Sequence, residues 1–239
     1  MKLHRLPLLL ACCLIFTLAA CNLVYTQAPN QTETEPQAQE TKTETTHRTL
    51  ISQIQGAQHR SPIEGQTVRN VYGIITGITG SGFYLQDPKP DLDERTSEGI
   101  FIATQQVSIV KVGDEVLIAS GVVKEFNPAG AGNNSLTITQ IQTNDFNVLS
   151  KGNPLPEPIV LGEGGRTIPN QVITNDINGY AGKSGLFDPQ EDGLDFYESL
   201  EGMRVQVNQA LAVSPTSKYR EVVVVADKGK NATVLSSRG

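Results

Sequence analysis

Aromatic rings, scattered cations and two groups of carboxylates are the residues of this 239-residue chain best placed to do chemistry. In GFYLQ (Gly82–Gln86), Phe83 and Leu85 alternate with Tyr84 and Gln86, the period of a half-buried strand. In GIFI (Gly99–Ile102), Ile100 and Ile102 fall on one face and Phe101 on the other. If the aliphatic set faces a core, Tyr84, Gln86 and Phe101 face outward. The two rings then form a platform for unpaired bases, each stack worth about 1–3 kcal/mol. Arg69, Lys89, Arg95, Lys111 and Lys124 are the candidate phosphate contacts. The plainer alternative is that the outward rings pack beneath a loop. Charge also weighs against strong binding, because Thr49 to Ser150 holds six Lys and Arg against ten Asp and Glu. Binding through this region is expected to be weak and to fall as salt rises.

The carboxylates Asp87, Asp91, Asp93, Glu94 and Glu98 crowd one loop, and Asp188, Glu191, Asp192 and Asp195 crowd another. Oxygen ligands at such density suggest calcium, but the spacing is not that of an EF-hand loop and its sixth-position glycine is missing. A solvated loop held by Asx turns is the favoured reading for both, so no metal ligand is assigned. Acid–base catalysis needs paired groups. The three histidines are His4, His47 and His59, and only His59 lies at the edge of a folded region. No serine nucleophile elbow, phosphate-binding P-loop or HExxH motif occurs. No catalytic residue is therefore assigned.

These side chains must be positioned by short strands. Expected strands are Thr67–Thr79, Gly82–Gln86, Gly99–Ala103, Glu115–Phe126 and Ser135–Ile141, with a short turn within Gln105–Val110. Gly73 and Gly77 interrupt the first strand, where a bend lets one long strand serve two neighbours. Five strands at this spacing fit a five-stranded Greek-key barrel over residues 49–150. The small-residue loop Asn127 to Asn134 reads as a hairpin tip.

Residues 1–21 read as a targeting segment. Lys2 and Arg5 precede an apolar stretch, Leu8 to Ala20, that is short for a membrane span. It ends in Leu18-Ala19-Ala20-Cys21, the pattern of a bacterial lipoprotein signal, so Cys21 is the expected lipidated N-terminus. An ordinary secretory signal is the alternative. Two acyl attachments give stable membrane anchorage, and Asn22 after the cysteine leaves the outer membrane or extracellular face as the expected address. Loss of Lys2 and Arg5 takes the net charge from −6 to −8. Residues 22–48 read as a disordered tether, since 15 of the 25 residues from Asn22 to Thr46 are Thr, Gln or Glu.

Residues 151–195 read as a linker. Beyond it, Leu200-Glu201-Gly202-Met203-Arg204-Val205 echoes Ile63-Glu64-Gly65-Gln66-Thr67-Val68. The echo predicts that residues 196–239 begin a second, incomplete β module of about three strands, including the run Val222–Val225. The fold class is thus all-β: a five-strand barrel, a partial second β module and a disordered N-terminal tether. The chain reads as the front portion of a longer protein.

The blocks ISQIQG (Ile51–Gly56), SPIEGQTV (Ser61–Val68), GFYLQDPKPDLDERTSEGIFI (Gly82–Ile102) and VGDEVLIASGVVKEF (Val112–Phe126) occur in one order. Together they resemble the OB-like region that precedes the catalytic domain in bacterial extracellular nucleases of the endonuclease/exonuclease/phosphatase class. RTIPN (Arg166–Asn170) and DFYESLEGM (Asp195–Met203) extend the resemblance more loosely. It implies an OB-like barrel whose second and third strands carry the ligand face. It also implies a non-catalytic, lipid-anchored module that presents extracellular DNA, weakly bound and single-stranded, to a downstream nuclease domain. No cofactor is expected in this chain; magnesium or calcium would belong to that downstream domain. The rival expectation is a structural or interaction lipoprotein whose barrel binds protein or glycan.

Overall fold

The computed structural model describes residues 47–130, 132, 135–175 and 186–236. Cys21, the targeting segment, residues 22–46 of the tether and parts of the Asn127–Asn134 loop lie outside the described residues. The described chain is mostly β-sheet with few helices.

Helix α1 (Ile51–Gln55) was not foreseen, because five residues are too few to show a helical period. The Gln53 side chain accepts from the Leu50 N–H at 3.1 Å and so caps its start. Gly56, at φ 71°, ends it. Ile51 and Ile54, three apart, lie on one face and are fully buried.

Four strands fall where the sequence places them: β1 (Thr67–Thr79), β2 (Gly82–Gln86), β3 (Gly99–Ala103) and β4 (Glu115–Phe126). A 3-10 turn at Val107–Ile109 occupies the expected short turn. The fifth strand corrects the expectation: β5 is Ile138–Ser150, starting three residues later than Ser135 and running well past Ile141. These strands form one mixed five-stranded sheet in the order β1-β2-β3-β5-β4. All neighbours are antiparallel except β3 and β5, which are parallel. β1 pairs with β4 through Thr67–Ile74 and with β2 through Ile74–Thr79, so the order returns to its start. The change of partner at Ile74, and the register shift between Ile75 and Gly77, sit at the two glycines expected to permit a bend.

Fifteen buried apolar side chains, from α1, the sheet and Val110 after the 3-10 turn, form one cluster, including Ile75, Phe83, Ile102, Ile118 and Ile141. Burying a side chain of this kind contributes about 1.5–3 kcal/mol. Phe83 and Phe146 meet edge-on at 5.4 Å between centroids.

The stretch 151–195 is more than a connection. It contributes β6 (Ile159–Leu161), parallel to β7 (Val205–Val207). It also starts helix α2 (Gly193–Glu198), whose N-cap Asp192 accepts from Leu194 N–H at 2.9 Å. β8 (Leu211–Ala212) and β9 (Val224–Val225) make a second two-stranded sheet. A small core of Leu161, Phe196 and Leu200 supports this part. The sequence echo is also an echo of structure. Gln66 N–H bonds Ile63 C=O and Met203 N–H bonds Leu200 C=O, with Gly65 (φ 82°) and Gly202 (φ 71°) at the matching positions. Each turn leads into a strand.

Candidate nucleic-acid interface

Strand register brings the expected aromatic pair into one cross-strand row. Tyr84 opposes Phe101, Phe101 opposes Gln140 and Gln140 opposes Lys124, so four side chains from β2, β3, β5 and β4 share a face. Tyr84 and Phe101 are half-buried and meet edge-to-face at 5.1 Å and 63°. The row continues to Gly77 on β1, which leaves space beside the Tyr84 ring. The two rings line a groove of about 380 Å³ with Phe126, Ile138, Gln140 and Thr79. Phe126 is 51% exposed. It falls two residues after Lys124 on β4, and so on the same face. The groove carries no charged side chain; Lys124 stands next to it in the row.

The other expected contacts lie elsewhere. Gln86 does point away from the core, but it is only 3% exposed. Its Oε1 accepts from Arg204 N–H at 2.9 Å, so the chain after α2 covers it. The expectation of a free outward Gln86 is corrected: the cover comes from 118 residues further on. Arg69 is exposed opposite Ser120, eight residues along β1 from Gly77, about 25 Å in an extended strand. Lys89 and Arg95 are exposed in the loop that leaves the far end of β2. Arg95 is forked onto Asp93 (Nε–Oδ1 3.0 Å, Nη2–Oδ2 2.7 Å), which holds that carboxyl down at about 2. Lys111 is exposed, its N–H bonded to Asp114.

Both acidic groups are built into local structure. Asp87 pairs with Arg48 and accepts from Lys89 N–H; Asp91 accepts from Asp93 N–H; Glu98 accepts from Asp91 N–H. Carboxylate oxygens of Asp188, Asp192 and Asp195 lie within 4.8 Å of one another. Asp192 caps α2 and takes Asn175 N–H, while Asp195 takes Asp188 N–H.

Nothing local in the sequence signals the partner of His59. This ring is 5% exposed, with Nε2 2.6 Å from Asp195 Oδ1 and Nδ1 3.5 Å from Glu198 Oε2. Burial alone would lower its pKa, but Glu198 and Asp195 outweigh burial and raise it. A histidine–carboxylate pair 136 residues apart leaves no local pattern. It ties the segment before β1 to α2.

Residues 160–239 match a family model described as a domain of unknown function (DUF8508). That match begins within β6 and takes in α2 and β7 to β9, leaving the five-stranded sheet outside it. No curated protein matches the chain.

Proposed function

We propose that residues 49–150 are an OB-like Greek-key barrel that binds single-stranded nucleic acid, DNA first, on the β2–β3 face. The observation that carries this reading is the row Tyr84–Phe101–Gln140–Lys124: two rings for base faces, an amide for a base edge and one cation for phosphate. Further support is the strand order with β3 and β5 parallel, the order expected of an OB barrel. One cation beside an uncharged groove makes the binding weak. Together with the resemblance to extracellular nucleases, this suggests a lipid-anchored envelope module that presents DNA to a nuclease domain. Anchorage at Cys21 raises effective concentration, so weak affinity suffices. Palmitate labelling checks the anchor, and Cys21→Ala is expected to abolish the label.

Fluorescence anisotropy with a labelled single-stranded oligonucleotide at low salt tests the binding. Tyr84→Ala and Phe101→Ala are each expected to weaken it by about 1–3 kcal/mol with the fold intact. Lys124→Gln is expected to reduce the salt dependence. Absence of binding by the wild-type chain would refute the reading.

The second reading, glycan binding, is favoured by one observation. A polar groove of about 560 Å³ adjoins the aromatic one through Ser81 and Ala103. Thr104, Gln105, Gln142 and Asn144 line it with hydroxyls and amides and no charge. Affinity for a neutral oligosaccharide, lost in Phe101→Ala, would decide for it.

A further inference from the structure

A different cleft, of about 650 Å³, lies between the acidic β2–β3 loop and the region around α2. Arg166 stands in it, with Glu94, Thr167, Gln190 and the bare backbone of Gly164 and Gly165 around it. The position of Arg166 is fixed by its own main chain. Its N–H bonds Val160 C=O and its C=O takes Gly162 N–H, both at 2.9 Å. The guanidinium lies 4.9 Å above the ring of Phe196, which is 1% exposed. Its Nη2 donates to Ser199 Oγ at 3.1 Å, and that hydroxyl in turn donates to Phe196 C=O.

The remaining donors have little to do. A guanidinium carries five N–H groups, and among the described residues only Ser199 accepts from this one. The nearest carboxylate, Glu94, is 3.9 Å away, beyond hydrogen-bond length, on a side chain 58% exposed. Arg166 is part of the lining of the cleft, the side from which a ligand would reach those donors. The Arg166 side chain is only 13% exposed. Burial lowers its pKa, with Glu94 pulling the other way. A held, desolvated fork with unused donors and a movable counter-charge is an arrangement for a bidentate oxyanion.

We propose that this cleft binds a phosphate group, gripped by Arg166 and displacing Glu94. The cleft exceeds the size of a phosphate ion, so the group belongs to a larger molecule, either a terminal phosphomonoester or a backbone phosphodiester. The site is independent of the aromatic groove, and each can fail without the other.

The test titrates inorganic phosphate into the full chain at fixed ionic strength, followed by calorimetry and by backbone amide shifts. Gly164, Gly165, Arg166 and Thr167 amides are expected to move. Glu94→Gln is expected to tighten binding about two- to fivefold by removing the competing carboxylate. Arg166→Gln is expected to weaken it at least about tenfold. Arg166→Lys, which keeps the charge but loses the fork, is expected to weaken it less. Arg60→Gln, at an exposed pair with Glu64 outside the cleft, is expected to change nothing. If Arg166→Gln does not fold, Glu94→Gln carries the test, because that side chain is exposed. A short oligonucleotide with and without a 5′-phosphate separates the sources: tightening by Glu94→Gln for both points to diesters, and for the phosphorylated form alone to monoesters. No phosphate binding by wild type or Glu94→Gln, weaker binding by Glu94→Gln, or unchanged binding by Arg166→Gln overturns the proposal.

Discussion

Glu201 is the residue where burial works hardest against charge. Half-buried at the join between the sheet and the C-terminal part, its Oε1 accepts from Thr139 N–H at 3.0 Å and lies 3.4 Å from the Gln55 amide. Burial, reinforced by Glu198, pushes its pKa up to about 8. The folded chain therefore holds this proton more tightly than the unfolded one. Its contribution to stability is complete below the ordinary value of 4.5 and is lost as pH rises towards about 8. His59, raised by Glu198 and Asp195 against burial, has the same sign: its contribution is complete below 6.5 and lost as pH rises through the raised value. Glu98, pushed by burial up to about 7, adds to the trend. Asp93, held down at about 2 by Arg95, acts in the opposite sense and only in strong acid. The melting midpoint is thus expected to fall from pH 5 to pH 9. Glu201→Gln keeps an acceptor for Thr139 and removes the titration, so it is expected to flatten the slope and raise the midpoint at pH 8. An unchanged slope in that variant would remove Glu201 from the account.

Elements meet closely where β3 faces the turn before β7. A Cβ on Gly99 would lie 2.3 Å from the Gly202 carbonyl carbon, backbone against backbone. Gly99→Ala is expected to destabilise by about 1–3 kcal/mol and to speed hydrogen exchange of the Val205–Val207 amides. Gly80→Ala, with open space around the added Cβ, is expected to do neither. Normal exchange in Gly99→Ala would show that this approach tolerates a side chain. The same elements show what the sequence could reveal. β2 was legible from its alternation, and β1, β3 and β4 from runs rich in β-branched and aliphatic residues between turn residues. β5 was cut short because Thr143 and Phe146 are three apart. A register shift between Ser120 and Val122, opposite Asp145 and Gln142, absorbs the extra residue. The alternation then continues through Phe146 and Val148. β6 was hidden because three residues after a proline-rich run have no period, and its partner β7 lies more than forty residues on. At the site, alternation turned Tyr84 and Phe101 outward; that Lys124 joins their row follows from strand register across β3, β5 and β4, which the sequence does not display. It could not show that distant chain covers Gln86, because cover is tertiary.

The two parts of the described molecule differ in how they are held. The large apolar cluster is drawn wholly from residues 51–146, while the cluster of the C-terminal part has three buried apolar residues. Polar contacts join them: His59 with Asp195, Gln86 with Arg204 N–H, Ser97 with Glu201 C=O at 2.6 Å, and Thr139 N–H with Glu201. Separating the parts would expose amides, a hydroxyl and an imidazole more than a new apolar surface, so the sheet should remain soluble without its companion. A fragment of residues 47–152 is expected to melt cooperatively with a β-type circular dichroism spectrum. Residues 159–236 alone are expected to stay unfolded or to aggregate, because two-stranded sheets over so small a core are marginal in water. The fragment also lacks Asp195, Glu198 and Glu201. Its stability should therefore lose most of the decline between pH 5 and pH 9, and the His59 ring, monitored by its proton resonances, should titrate lower than in the full chain. A fragment that fails to fold would mean that polar contacts at the join, and not the fifteen-residue core, hold the sheet together. A fragment that keeps the full pH slope would place the titrating groups inside the sheet.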